Sequence, residues 1–136
     1  MNKADIVTVA RQYVGTPWRH QGRTRSGMDC AGLIIAVTEQ LGIARLGRLA
    51  YTRLPDTSII DRMMETYCEP VADPEPGDLL RFAIVGRPQH LAVAGDYENG
   101  LSLIHAHQSV GAVCEHRLDE KWQRRMVGAY RIKGIK

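Results

Sequence analysis

The chain has 136 residues, enough for one domain (1–136) with a sizeable buried core, and its formal net charge of +3 is modest. With no apolar run of about eighteen residues, no membrane-spanning helix is expected. Aromatic residues are 6% and do not interleave with the basic ones, so no nucleic-acid partner is expected, and Arg19, Arg23, Arg25, Arg124 and Arg125 read as a solvated surface.

The first half reads helical. Residues 3–14 bring Ile6, Val9, Ala10 and Tyr13 to one face, and Gly15-Thr16-Pro17 stops the run. Thr16 to Asp29 is rich in Gly, Arg and Ser and reads as a loop. Residues 30–41 are apolar on nearly all sides, as in a central helix, and Thr57 to Cys68 reads as a third, amphipathic one. After Pro74-Glu75-Pro76-Gly77 the period changes. Asp78–Ile84, Gln89–Ala94, Leu101–His107, Ala112–Arg117 and Val127–Ile132 read as short strands joined by turns. Helices followed by a meander predict an α+β fold with an antiparallel sheet.

Chemistry enters with Cys30. Asp29 is a good N-cap, which puts Cys30 in a first helical turn among unpaired amides. That partial positive charge favours a thiolate, and the same amides are candidate oxyanion donors. The Asp29 carboxylate opposes the thiolate and has to point elsewhere, while Gly27 and Gly32 are read as clearance for the sulfur. A cysteine so placed is either a core residue or a nucleophile, and a nucleophile needs a base with its own orienter. His90 opens HLAVAGDY, alternating with Leu91 and Val93, and His105 sits in SLIHAHQSV on the strand that returns beside it. Zinc is the rival use of these side chains. Three cysteines with no CxxC pair and a single tight His pair argue against both a metal site and a disulfide framework, so neither metal nor cofactor is expected.

The stretch YVGTPWRHQGRTRSGMDCAGLI (13–34) resembles the NlpC/P60 family of cell-wall cysteine peptidases, with a G-x-P-aromatic turn, a Gly-rich loop and a D-C-x-G-L block. PGDLLRF, HLAVAGD and LIHAHQSVGAV resemble the downstream blocks in the same order. The resemblance implies a papain-like fold, with the nucleophile helix packed on the sheet, and hydrolysis of peptidoglycan stem peptides, often between D-glutamate and a diamino acid. It makes Cys30 the nucleophile, His90 the general base and His105 the orienter of the imidazole. It also places Trp18 in the cleft and Asp29 near the free amine of the stem peptide, both as substrate-binding residues. Ala31 stands where relatives carry Ser, a departure that bears on substrate choice.

The start, MNKADIVTVARQYVG, lacks the apolar core of a signal peptide. The expectation is synthesis in the cytoplasm. In this the chain resembles compact peptidases encoded with phage tails and phage-like particles, which deliver the enzyme to the wall and would make tail proteins its partners. The alternatives are a catalytically silent tail-assembly protein on the same fold, or a cysteine amidase or acyltransferase. One expectation concerns register. Asn99-Gly100 is a strong two-residue turn signal, but a turn there would set His105 opposite Ala94, out of reach of His90. For the two imidazoles to meet as directly opposed residues, the hairpin has to close instead through a wider loop, Asp96 to Asn99.

Overall fold

The α+β expectation holds in the computed structural model, which describes residues 2–43, 56–84 and 87–135. Helix α1 (Lys3–Gln12) begins at a capping box, in which Asp5 N–H donates to Asn2 Oδ1 and Asn2 N–H donates to Asp5 Oδ2. It buries Ile6, Val7, Val9 and Ala10. The helix stops two residues before the expected end, with Tyr13 as C-cap, and Gly15 follows at a φ of 96°. Tyr13 is buried and donates its hydroxyl to Gln40 Oε1 at 2.8 Å, tying α1 to α2 (Cys30–Leu41).

The second helix is the centre of the molecule. All residues from Ala31 to Thr38 are buried, and Gly42 ends the helix in the left-handed conformation at φ 66°. Thr38 would be costly in such surroundings, but its hydroxyl donates to the carbonyl of Ile34 at 2.9 Å. Helix α3 (Asp56–Tyr67) follows, one residue displaced from its predicted span.

Six strands form one antiparallel sheet in the order β3-β8-β4-β5-β6-β7: β3 (Cys68–Pro70), β4 (Leu79–Ile84), β5 (Arg87–Tyr97), β6 (Gly100–His107), β7 (Ala112–Arg117) and β8 (Met126–Ile132). The period of two sorts their side chains into two cores. Leu79, Leu91, Val93, Ile104, Ala106 and Val113 pack with α1 and α2. Leu80, Phe82, Ala92, Ala94, Leu103 and Ala129 face the other way, against Trp122 of α4 (Glu120–Arg125). Four elements fall outside the sequence reading: β3, α4, and the two strands of a small hairpin inside the Gly-rich loop, β1 (Arg23–Thr24) and β2 (Gly27–Met28). Among the described residues no helix is long and apolar enough to cross a membrane.

The register of the β5–β6 hairpin corrects the expectation. Tyr97 pairs with Gly100, so the turn is the two residues Glu98-Asn99, at φ 48° and 67°. Both central residues are left-handed, as a type I′ turn requires. Neither an Asn99-Gly100 turn nor the wider loop is formed. The three registers differ by two residues and therefore keep every side chain on its own face, so burial does not choose among them. Gly95 does. It pairs with Ser102, and a Cβ at residue 95 would stand 2.4 Å from Ser102 Oγ and 2.9 Å from Glu115 Oε2. Ser102 donates to that Glu115 oxygen at 2.7 Å, and Arg11 reaches Glu115 and Asp96 from α1.

The turn before β4 depends on Gly77 in the same way. Its φ is 95°, and a Cβ there would lie 2.4 Å from the Lys3 carbonyl oxygen. The neighbouring Asp78 is fully buried and accepts two hydrogen bonds from Arg131, each 2.9 Å. Gly77→Ala is expected to cost about 2–4 kcal/mol in urea unfolding, from strain and a backbone clash together. Gly100→Ala, with no neighbour nearer than 4.0 Å, serves as control and should stay within about 1 kcal/mol. Equal midpoints for the two variants would contradict this account of the turn.

Candidate active site

Cys30 is the first residue of α2 and half-buried, and Asp29 caps the helix. The capping carboxylate is turned into the backbone: Oδ1 accepts from Gly32 N–H at 2.8 Å and Oδ2 from Gln21 N–H at 2.9 Å. Asp29 thus holds the preceding loop onto the helix terminus and answers the objection that its charge opposes a thiolate. The glycines here correct a second expectation. A Cβ on Gly32 would lie 1.8 Å from the Gly22 carbonyl oxygen, and one on Gly27 would lie 2.6 Å from the Arg19 side chain. They make room for the loop, not for the sulfur. Ala31 is buried in the main core, and Trp18 is half-buried on the loop, its backbone N–H donating to the Gly111 carbonyl oxygen at 2.8 Å.

The structure brings the two predicted histidines together. His90 Nε2 lies 2.7 Å from His105 Nδ1, with ring centroids 5.0 Å apart. They do this without being opposite one another. Continuing the observed ladder past Val93–Ile104 sets His105 opposite Ala92 and His90 opposite His107, so the imidazoles meet on the diagonal. Diagonal neighbours in a sheet are within reach of ring side chains, which the expectation of direct opposition neglected.

Sequence reasoning missed three members of this cluster: His116, Trp122 and His107, whose ring centroid lies 5.0 Å from that of His105. His116, on β7, sets its Nε2 2.8 Å from His105 Nε2 and its Nδ1 2.8 Å from the Arg117 carbonyl oxygen. Trp122 lies under the histidines, with ring centroids 5.0 Å from His105, 5.6 Å from His116 and 5.8 Å from His90. Its edge-to-face contact with Phe82, at 5.2 Å and 88°, fixes the indole from below. The sequence did carry a signal for α4. Asp119 is an N-cap that accepts from Trp122 N–H at 2.9 Å, and Arg124 and Arg125 fill the last turn.

Burial governs the protonation of His90 and His105. Desolvation is the largest cause of the lowered pKa of both His90 and His105, and neighbouring imidazoles push the same way. The rings are therefore neutral at physiological pH. Among the other thiols, burial pushes Cys68 up to about 12 and raises Cys114 as well. His105, Cys114 and His116 also bring ligand-type atoms within 4.8 Å of one another, a set that could hold a metal ion in composition. The two Nε2 atoms in it are, however, joined at hydrogen-bonding distance.

The NlpC/P60 family model matches residues 15–131, most of the chain. The chain belongs to the NlpC/P60 family. It is 28% identical over 134 residues to the probable peptidoglycan endopeptidase LytE of Bacillus subtilis, covering 97% of this chain and 35% of that protein. It is 29% identical to the probable endopeptidase NlpC of Escherichia coli, over 90% of this chain and 73% of the relative. The chain thus spans about a third of the one relative and nearly three quarters of the other. The NlpC/p60 domain of the peptidoglycan hydrolase SagA superposes with a TM-score of 0.70 at 26% identity, over 97% of this chain and all of that one.

Neutral buried histidines link this site to acid stability. Their pKa is lower in the fold than in the unfolded chain, where it is about 6.5. The stability they contribute is present above that value and is lost as pH falls toward the folded value, about 4 for His90, because the unfolded chain takes up protons that the fold refuses. Melting temperature should therefore decline below about pH 6.5, and His105→Gln should flatten the decline. A variant profile as steep as that of the parent would contradict the assignment.

Proposed function

We propose that this NlpC/P60 chain is a cysteine peptidase that hydrolyses peptidoglycan stem peptides, with Cys30 as nucleophile, His90 as general base and His105 as orienter. The observation that carries the reading is the His90–His105 hydrogen bond at 2.7 Å, in a chain whose family block sets a cysteine at the start of α2. The relative named a probable peptidoglycan endopeptidase and the structural neighbour named a peptidoglycan hydrolase support the substrate class.

The chemistry follows from the two ring nitrogens of His90. Nε2 is committed to His105, so Nδ1 takes the thiol proton. The sulfur attacks the scissile carbonyl carbon, and the N-terminal dipole of α2, with the first-turn amides ahead of Gly32, stabilises the oxyanion. Gly32 N–H itself is occupied by Asp29. The proton on Nδ1 then passes to the leaving amine, and a water activated by the same nitrogen hydrolyses the thioester. His90 alternates along β5 with Leu91 and Val93, which pack in the core that α2 shares.

Trp18 supplies a loop aromatic for the cleft in this reading. Asp29 would receive the substrate's ammonium as a further partner of a carboxylate that already caps the helix. The bond proposed for cleavage is the one from D-glutamate to the diamino acid. Delivery to the wall by a phage or phage-like particle belongs to the same proposal and rests on the resemblance to compact particle-encoded peptidases.

Purified wall fragments incubated with the protein and analysed by mass spectrometry test the function. Stem peptides cut after D-glutamate are expected from the parent and none from Cys30→Ala, which should lose only about 1–2 kcal/mol of stability. Cleavage between muramic acid and L-alanine would make the protein an amidase. Intact fragments with folded parent protein would leave the silent structural reading in its place.

A further inference from the structure

His116 lies outside the proposed catalytic trio, yet it ends an unbroken line of imidazoles that begins at His90. The far end of that line is a backbone carbonyl, and a carbonyl oxygen only accepts. The 2.8 Å contact from His116 Nδ1 to Arg117 O therefore puts the proton on Nδ1. With His116 in its one-proton form that N–H is the only one, so Nε2 is bare and His105 Nε2, 2.8 Å away, has to donate to it. His105 Nδ1 is then bare in turn, and His90 Nε2 at 2.7 Å has to donate. What remains on His90 is a lone pair at Nδ1.

We propose that His116, anchored by the Arg117 carbonyl, is a positioning residue that sets the tautomer of His90 through His105 and so keeps Nδ1 open to accept a proton. Its value to catalysis rests on Cys30 and His90 acting as proposed above; the tautomer itself does not. The alternative tautomer would place a proton on the nitrogen that has to receive one, and the base would be blocked. Trp122 protects the arrangement by covering all three rings on one side, which limits water that could supply competing partners. The same logic disfavours a cation among His105, Cys114 and His116. A metal held through the two Nε2 atoms would have to displace the proton that the hydrogen-bonded line places between them.

The direction of the line makes an unusual test available. Glutamine at residue 116 can accept from His105 through its carbonyl and donate to Arg117 through its amide. Lysine can only donate, which forces every proton in the line to the opposite nitrogen. Protein labelled with 15N-histidine is read by long-range 1H–15N correlation at neutral pH, alongside kcat and KM on wall fragments. Parent and His116→Gln are expected to show His90 protonated at Nε2, and the glutamine variant should keep kcat within about tenfold. His116→Lys should move that proton to Nδ1 and lower kcat by about 10²–10⁴-fold with little change in KM.

A parent spectrum with His90 protonated at Nδ1 overturns the proposal, as does an equal loss of kcat in the two variants. Should the lysine variant fold poorly, the parent spectrum alone decides. Failure of the peptidase reading is separately visible: the parent would then cleave no wall fragment while its His90 tautomer still reads as stated.

Discussion

Two buried imidazoles joined at 2.7 Å constrain much of the second half of this molecule. Each ring is costly to desolvate, and each is tolerated because its nitrogens find partners. The neutral state that burial imposes is also the state a general base needs. Meeting that requirement draws in the β5–β6 register, the diagonal approach of the rings, His116 on the next strand and Trp122 beneath. The sheet has to present His90 and His105 on the face away from α1 and α2, and the alternation of small and large residues does so. Ala92 and Ala94 leave room on one side, while Leu91 and Val93 fill the core on the other.

The nucleophile end is organised by close backbone approach. Gly22, Gly32 and the Asp29 carboxylate lock the Gly-rich loop over the start of α2, with the Gly22 carbonyl receiving the Asp29 amide at 3.2 Å. The loop also pairs with the start of β7, where Gly15 N–H donates to Val113 at 2.9 Å. Near its start this strand touches the loop that leads into Cys30, and farther along it supplies His116. Thiol and imidazole elements are assembled on a shared scaffold from residues far apart in sequence.

Helix α2 was legible because a run of apolar residues between Asp29 and Gly42 has one sensible solution, and its boundaries matched. Cys30, His90 and His105 were singled out through the family blocks that carry them, and the meeting of the two histidines is the part that the structure shows. The small pieces were not. The hairpin β1–β2 has two residues per strand, too few for a period to show, and α4 is a single turn and a half whose cap signal lay in view at Asp119. The hairpin register escaped for a different reason: shifts of two residues preserve every inside–outside assignment, so hydrophobic pattern carries no information about them. His116 was hidden because its contact with His105 depends on how β7 pairs with β6.

The central claim is that His90 activates Cys30, and alkylation rates measure it most directly. With iodoacetamide near neutral pH, Cys30 should react well before Cys68 and Cys114, whose thiols burial holds protonated. His90→Ala in otherwise folded protein should bring the Cys30 rate down toward theirs. Equal labelling of all three thiols, or a Cys30 rate indifferent to the loss of His90, would contradict the account.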